Sequence, residues 1–247
     1  MHPASDGASR RERLAAARLY LVLPASPPGA SVGEAQEHGA RLQNITRAAV
    51  AGGVDVVQLR EKHSPDEELV ALASALADLC AELGALFIVN DSPTLARTAR
   101  ADGIHVGQED MSAEDARAIV GPEMLVGLST HARSEIDAVR ALAADGTPLV
   151  DYIAVGPVHE TPTKPGRPAV GTELVAYAAA HAPVPFFAIG GLDASNLHEA
   201  LAAGAARAVI LRAIAGAEDP KRAARELRGQ LERAPVKPTA AGRLLGD

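Results

Sequence analysis

Several stretches of this sequence gather side chains suited to phosphate and to hard cations. Gln58-Leu59-Arg60-Glu61-Lys62 places two cationic residues two positions apart, and Thr161-Pro162-Thr163-Lys164 adds a third beside two hydroxyls. Arg60, Lys62 and Lys164 can supply positive charge to phosphate oxygens, and Ser129, Thr161 and Thr163 can supply hydroxyl donors. Asn90-Asp91 and Gly107-Gln108-Glu109-Asp110 bring carboxylates, of which Asp91 and Asp110 are candidate Mg²⁺ ligands. Mg²⁺ takes one or two carboxylates and fills its shell with water and phosphate. Gly190-Gly191 lets an anion approach the backbone closely. Together these parts suit a site for two anions and a metal, and a reaction in which diphosphate leaves. Taken singly, each has a plainer reading: a strand end with a solvated salt bridge, a helix cap, a tight turn, a loop.

What unites them is their place in the chain. Short apolar runs occur at Leu19–Leu23, Val54–Leu59, Ala85–Val89, Gly103–Val106, Met124–Leu128, Val150–Val155, Val184–Ile189 and Arg207–Leu211. Their continuous Val, Ile and Leu character predicts strands buried on both faces. Between them lie stretches of helical period: Glu34–Ala51, Pro65–Leu83, Ser92–Ala99, Ser112–Val120, Arg133–Ala144, Thr172–Ala180, Ala194–Ala203 and Asp219–Glu232. Ser64-Pro65 and Asp219-Pro220 read as helix starts, and Gly84 and Gly204 as helix stops. Eight alternating βα units in this length predict a single (β/α)₈ TIM barrel. Every motif named above then sits just after a strand, and all those ends open on one face. The predicted organisation is a polar lead-in over 1–17, the barrel over 18–233 and a tail over 234–247, with a Pro/Gly-rich insertion at Pro24–Gly33.

Composition narrows the class further. The formal charge of -7 and the 2% aromatic content argue against a nucleic-acid partner, which needs a basic face and stacking rings. No apolar run reaches membrane-spanning length, and Met1 to Arg13 lacks the apolar stretch of a secretory signal, so a cytoplasmic protein is expected. Small phosphorylated molecules are the expected partners, and a homo-oligomer is compatible with the sequence. The single cysteine, Cys80, lies in a helical segment and reads as a buried apolar residue. His105 falls inside a strand, which predicts a packed or hydrogen-bonded role; His131 starts a helix, and His63 and His159 fall in mouth loops. No zinc spacing, nucleophile elbow or P-loop occurs.

The ordered set Leu19-Tyr20-Leu21-Val22, Gln58 to Lys62, Asn90-Asp91, His105 to Asp110, Gly127-Leu128-Ser129, Val155-Gly156-Pro157, Thr161 to Lys164 and Ala188-Ile189-Gly190-Gly191 resembles the thiamine-phosphate synthase family over Leu19 to Glu232. The resemblance implies a transferase that joins a pyrimidine diphosphate to a thiazole phosphate, or to its carboxylated form. It implies that Gln58, Arg60, Lys62, Asn90, Ser129 and Lys164 bind the diphosphate substrate, with Arg60, Lys62, Ser129 and Lys164 acting in catalysis. Asp91 and Asp110 would hold Mg²⁺, and Thr161, Thr163, Gly190, Gly191, Leu211 and Arg212 would face the thiazole phosphate. The chemistry implied is dissociative: diphosphate departs and the thiazole nitrogen captures the pyrimidine-methyl cation.

One position departs from the family pattern. Many members carry Ser-Ala-Ile after the eighth strand, where this chain reads Leu211-Arg212-Ala213-Ile214. Arg212 could grip a phosphate in bidentate fashion, point away, or crowd the pocket. Two rival readings share the barrel. Val158-His159-Glu160-Thr161 is faintly similar to a paralogous thiazole tautomerase, which has no need of a diphosphate–Mg²⁺ site. A non-catalytic regulatory barrel would not need the full set of charges this chain carries.

Overall fold

The computed structural model describes residues 6–25, 32–62, 64–140, 142, 146, 149–160 and 168–235. A helix, α1 (Gly7–Ala16), comes first, and eight βα units follow. The strands are β1 (Leu19–Pro24), β2 (Val56–Arg60), β3 (Leu86–Asn90), β4 (Gly103–Val106), β5 (Leu125–Thr130), β6 (Tyr152–Val155), β7 (Phe186–Ile189) and β8 (Ala208–Ile210). The helices after β1 to β4 are α2 (Val32–Ala51), α3 (Asp66–Leu83), α4 (Pro93–Thr98) and α5 (Ala113–Val120). After β5 to β7 come α6 (Arg133–Asp137), α7 (Gly171–His181) and α8 (Leu197–Ala202); after β8 come α9 (Arg212–Ala215) and α10 (Pro220–Glu232). The strands close in sequence order into one parallel barrel, with β1 paired to β8. The expected TIM barrel is the observed fold.

Strand alternation decides what the barrel holds. Leu19, Leu21, Leu23, Val57, Leu59, Phe87, Val89, Ile104 and Val126 face the helices and join the outer core. Tyr20, Val22, Val56, Leu86, Ile88, Leu125, Tyr152, Phe187 and Val209 fill the interior. The interior is therefore apolar at its base. Gln58, Arg60, Asn90, His105 and Ser129 lie on the same inward face nearer the strand ends, where they line a cavity. No helix among the described residues is long and apolar enough to cross a membrane.

Three elements differ from expectation. Residues 7–16, inside the expected lead-in, form α1, whose Leu14 is buried with the barrel interior. Its arginines bond to the base of the barrel: Arg10 Nε to Asp102 at 3.0 Å and Arg11 Nε to Asp151 at 2.7 Å. The helix expected over Arg133–Ala144 ends at Asp137. Ile136 and Val139 are buried, but Leu142 is 56% exposed, so further helix would bury little. The short α9 has no counterpart in the sequence reading. The end signals hold more closely: Gly84 caps α3 at φ 77°, and Pro220 opens α10 with Asp219 capping Arg222 N–H at 2.9 Å. Cys80 is fully buried, which pushes its thiol up to about 12.

Candidate active site

A cavity of about 360 Å³ opens at the C-terminal ends of the strands. Gln58, Arg60, Asn90, Ser129, Gly190, Gly191, Leu211 and Arg212 all line it. These eight expected site residues come from β2, β3, β5 and the segments after β7 and β8, so the closed sheet brings them together. A smaller depression adjoins it, lined by Lys62, Asp91 and Asp110 among others, and Asn90 belongs to both. Thr161, Thr163 and Lys164 lie outside the described residues, as does His63.

Asn90 joins the two halves. Its Oδ1 accepts a hydrogen bond from Arg60 at 3.2 Å, which fixes the amide. Its Nδ2 is buried and has no partner among the described residues. An unpartnered buried donor costs about 1–3 kcal/mol, and a ligand acceptor would recover that.

In the depression, two carboxylates share one cation. Lys62 Nζ lies 2.5 Å from Asp91 Oδ2 and 3.2 Å from Asp110 Oδ1. Burial pulls the Lys62 ammonium down, but its bonds to Asp91 and Asp110 outweigh that and hold it above its ordinary value. Burial, and then the neighbouring Asp110, push the Asp91 carboxyl up against the pull of Lys62. Burial also works against Asp110 ionising, but its coupling to Asp91, whose carboxyl is pushed up, and the bonds from Lys62 and the Gly107 N–H hold it below its ordinary value. Close carboxylates that need a cation between them fit a Mg²⁺ site with two protein ligands. Among the described residues no group of three or more acidic, His or Cys side chains forms a fuller metal cage.

The other end of the cavity is a backbone cradle. Gly190 and Gly191 have φ of 108° and 63°, a region that L side chains resist. A Cβ on Gly190 would lie 2.5 Å from Pro157 Cα, so the turn needs glycine on packing grounds as well. Arg212 is among the residues lining the cavity and is exposed. His159, the histidine of the tautomerase reading, faces α8 instead, with Nε2 3.7 Å from Glu199 Oε2.

Sequence reasoning gave no site role to the polar groups beneath the mouth, although the packed, hydrogen-bonded place expected for His105 is the observed one. Tyr20, His105 and His131 also line the cavity. Tyr152 is fully buried below it, and its hydroxyl lies 3.2 Å from His105 Nδ1. The register explains the contact. His105 pairs with Gly127, and Gly127 pairs with Tyr152, so the glycine separates them on the inner face. A Cβ at Gly127 would stand 2.2 Å from Tyr152 Cζ and 2.5 Å from His105 Nδ1. Gly127→Ala is therefore expected to destabilise the fold by about 1–3 kcal/mol through overpacking. An unchanged urea midpoint would show that the two rings do not close over this position.

The chain matches the family model described as thiamine monophosphate synthase over residues 31–214. It is 46% identical to a thiamine-phosphate synthase of Mycobacterium ulcerans over 229 residues, covering 89% of this chain and 97% of that protein. It is also 46% identical to a thiamine-phosphate synthase of Thermobifida fusca over 222 residues, covering 90% and 95% of the two chains. Among solved structures it resembles the thiamine phosphate pyrophosphorylase of Pyrococcus furiosus, with a TM-score of 0.71 and 29% identity over 92% of this chain and 99% of that one.

Proposed function

Because the chain belongs to the thiamine monophosphate synthase family, we propose that it joins a (diphosphooxymethyl)pyrimidine to a (phosphoethyl)thiazole, giving thiamine phosphate and diphosphate. The observation that carries this reading is the junction at Asn90. There a 360 Å³ cavity with a buried donor that has no partner among the described residues meets the carboxylate pair that converges on Lys62. A cavity of this size suits two small rings, and the adjoining charges suit the diphosphate of one of them.

In this reading Gln58 and Asn90 hold the pyrimidine end, and Arg60, Lys62, Ser129 and Lys164 bind the diphosphate. Asp91 and Asp110 would hold Mg²⁺, which when bound supplies charge neutralisation to the diphosphate oxygens. The carbon–oxygen bond breaks and both electrons leave with diphosphate. The thiazole nitrogen then uses its lone pair to form the new carbon–nitrogen bond. No general base is needed for this exchange, so the task of the protein is leaving-group stabilisation and alignment. The backbone at Gly190 and Gly191, together with Leu211, Arg212, Thr161 and Thr163, would seat the thiazole phosphate. Arg212 presents a planar fork of donors where many relatives offer a hydroxyl, so it suits a phosphate grip.

The test is a direct assay of the purified protein with both substrates and Mg²⁺. Thiamine phosphate and diphosphate should appear in equal amounts. Binding of both substrates with neither product would overturn the reading. Isomerised thiazole phosphate without diphosphate release would replace it with the tautomerase.

A further inference from the structure

We propose that Tyr152 and His105 are positioning residues that make the Ser129 hydroxyl a hydrogen-bond donor toward the cavity, through a one-way chain of hydrogen bonds beginning at Gln58. The inference rests on the proposed synthase activity, in which Ser129 contacts the diphosphate substrate.

The chain crosses the barrel interior. Gln58 Nε2 lies 2.7 Å from Tyr20 Oη, and Tyr20 Oη lies 3.0 Å from Tyr152 Oη. Tyr152 Oη lies 3.2 Å from His105 Nδ1, and His105 Nε2 lies 2.9 Å from Ser129 Oγ. Both tyrosines are fully buried, and Gln58, His105 and Ser129 nearly so.

Its direction follows from the donor inventory. An amide nitrogen only donates, so Tyr20 accepts from Gln58. We take the one Tyr20 proton to go to Tyr152 oxygen, its hydroxyl neighbour at 3.0 Å, and this sends the one Tyr152 proton to His105 Nδ1. A neutral imidazole whose Nδ1 accepts carries its proton on Nε2. That N–H donates to Ser129 Oγ, and the serine proton is left for an acceptor in the cavity. Burial raises both phenols well above the ordinary tyrosine range, so each keeps the proton it passes on. The opposite tautomer would take the serine proton and turn only lone pairs toward an anionic ligand. Packing holds the chain in line: the Phe187 ring sits edge-on to Tyr20 and to Tyr152, and Gly127 leaves room for Tyr152 to reach His105.

Two measurements test this. Nitrogen NMR of the resting protein, with the His105 signals assigned from His105→Asn, should show a neutral ring protonated on Nε2. Tyr152→Phe should shift that ring toward the other tautomer. A wild-type ring protonated on Nδ1 would overturn the proposal. In the synthase assay, Tyr152→Phe should lower kcat roughly three- to tenfold, the worth of one misdirected hydrogen bond. The KM for the thiazole phosphate should stay unchanged. The same change in a Ser129→Ala background should cost nothing more, because its effect runs through Ser129. An equal further loss in that background would mean a merely structural role. If the wild type forms no thiamine phosphate, the proposed function falls, and the tautomer measurement still decides the chain of bonds.

Discussion

Asp91→Asn is expected to lower kcat for thiamine phosphate formation by about 10²- to 10³-fold and to raise the Mg²⁺ concentration needed for half-maximal rate. Asparagine is the informative replacement because Asp91 sits at φ 62°, where asparagine is tolerated and alanine is strained. It removes the charge and keeps the backbone. Asp91 and Asp110 follow adjacent strands and meet around one ammonium group, and among the described residues no third acidic, His or Cys side chain joins them in a metal-holding group. With one carboxylate gone, the proposed Mg²⁺ site would lose half its protein charge just where the leaving group gains its own. Stability should barely change, since the partly exposed pair with Lys62 is worth about 1 kcal/mol or less. Glu114→Ala, an exposed carboxylate on α5, serves as the control and should leave the Mg²⁺ titration unchanged. An Asp91→Asn titration that overlays the wild type would remove Asp91 from the metal site.

The sequence was most legible where short-range rules act alone. The eight strands fall within a few residues of the apolar runs, because a strand buried on both faces needs little beyond Val, Ile and Leu. Once strand ends were known, barrel closure did the rest, and eight of the expected site residues share one cavity. The partnership of Lys62 with Asp91 and Asp110 was not legible, because it depends on where two loops fold relative to a third. Nor was the chain from Tyr20 through Tyr152 to His105. Tyr20 and Tyr152 sit in strands of apolar residues, and only the register places Gly127 between His105 and Tyr152. Polar atoms on inward strand positions above an apolar base are the signal that could have exposed it. The helix α1 was hidden for a related reason. Arginine reads as surface until its carboxylate partners, Asp102 and Asp151, are known from the tertiary fold.

That base predicts a large effect far from the cavity: Asp151→Ala should destabilise the protein by about 3–5 kcal/mol and leave the activity of the folded molecule intact. Asp151 stands just before β6, with its side chain 4% exposed. Its Oδ2 accepts from Arg117 at 2.7 Å and from the Val126 N–H at 2.8 Å, and its Oδ1 accepts from Arg11 at 2.7 Å. It thus ties α5, β5 and α1 to one point. Arg117 is itself buried, with its remaining bonds to the Gly121 and Met124 carbonyls and its Nε without a partner among the described residues. Burial already pulls that guanidinium below its ordinary value, and Asp151 is the charge that holds it up. Removing the carboxylate leaves a buried cation with no counter-charge and a strand N–H with no acceptor. At about 2–4 °C per kcal/mol for a domain of this size, Tm should fall by roughly 6–20 °C. Asp151→Asn should recover part of this, because an amide oxygen can still accept from the Val126 N–H. The kcat of Asp151→Ala at low temperature should match the wild type, since the network lies at the opposite end of the barrel. A Tm within a degree of wild type would mean that water has replaced the carboxylate and that the other contacts of α1, among them Leu14, Arg10 and the Arg11 bond to the Pro122 carbonyl, hold it to the barrel.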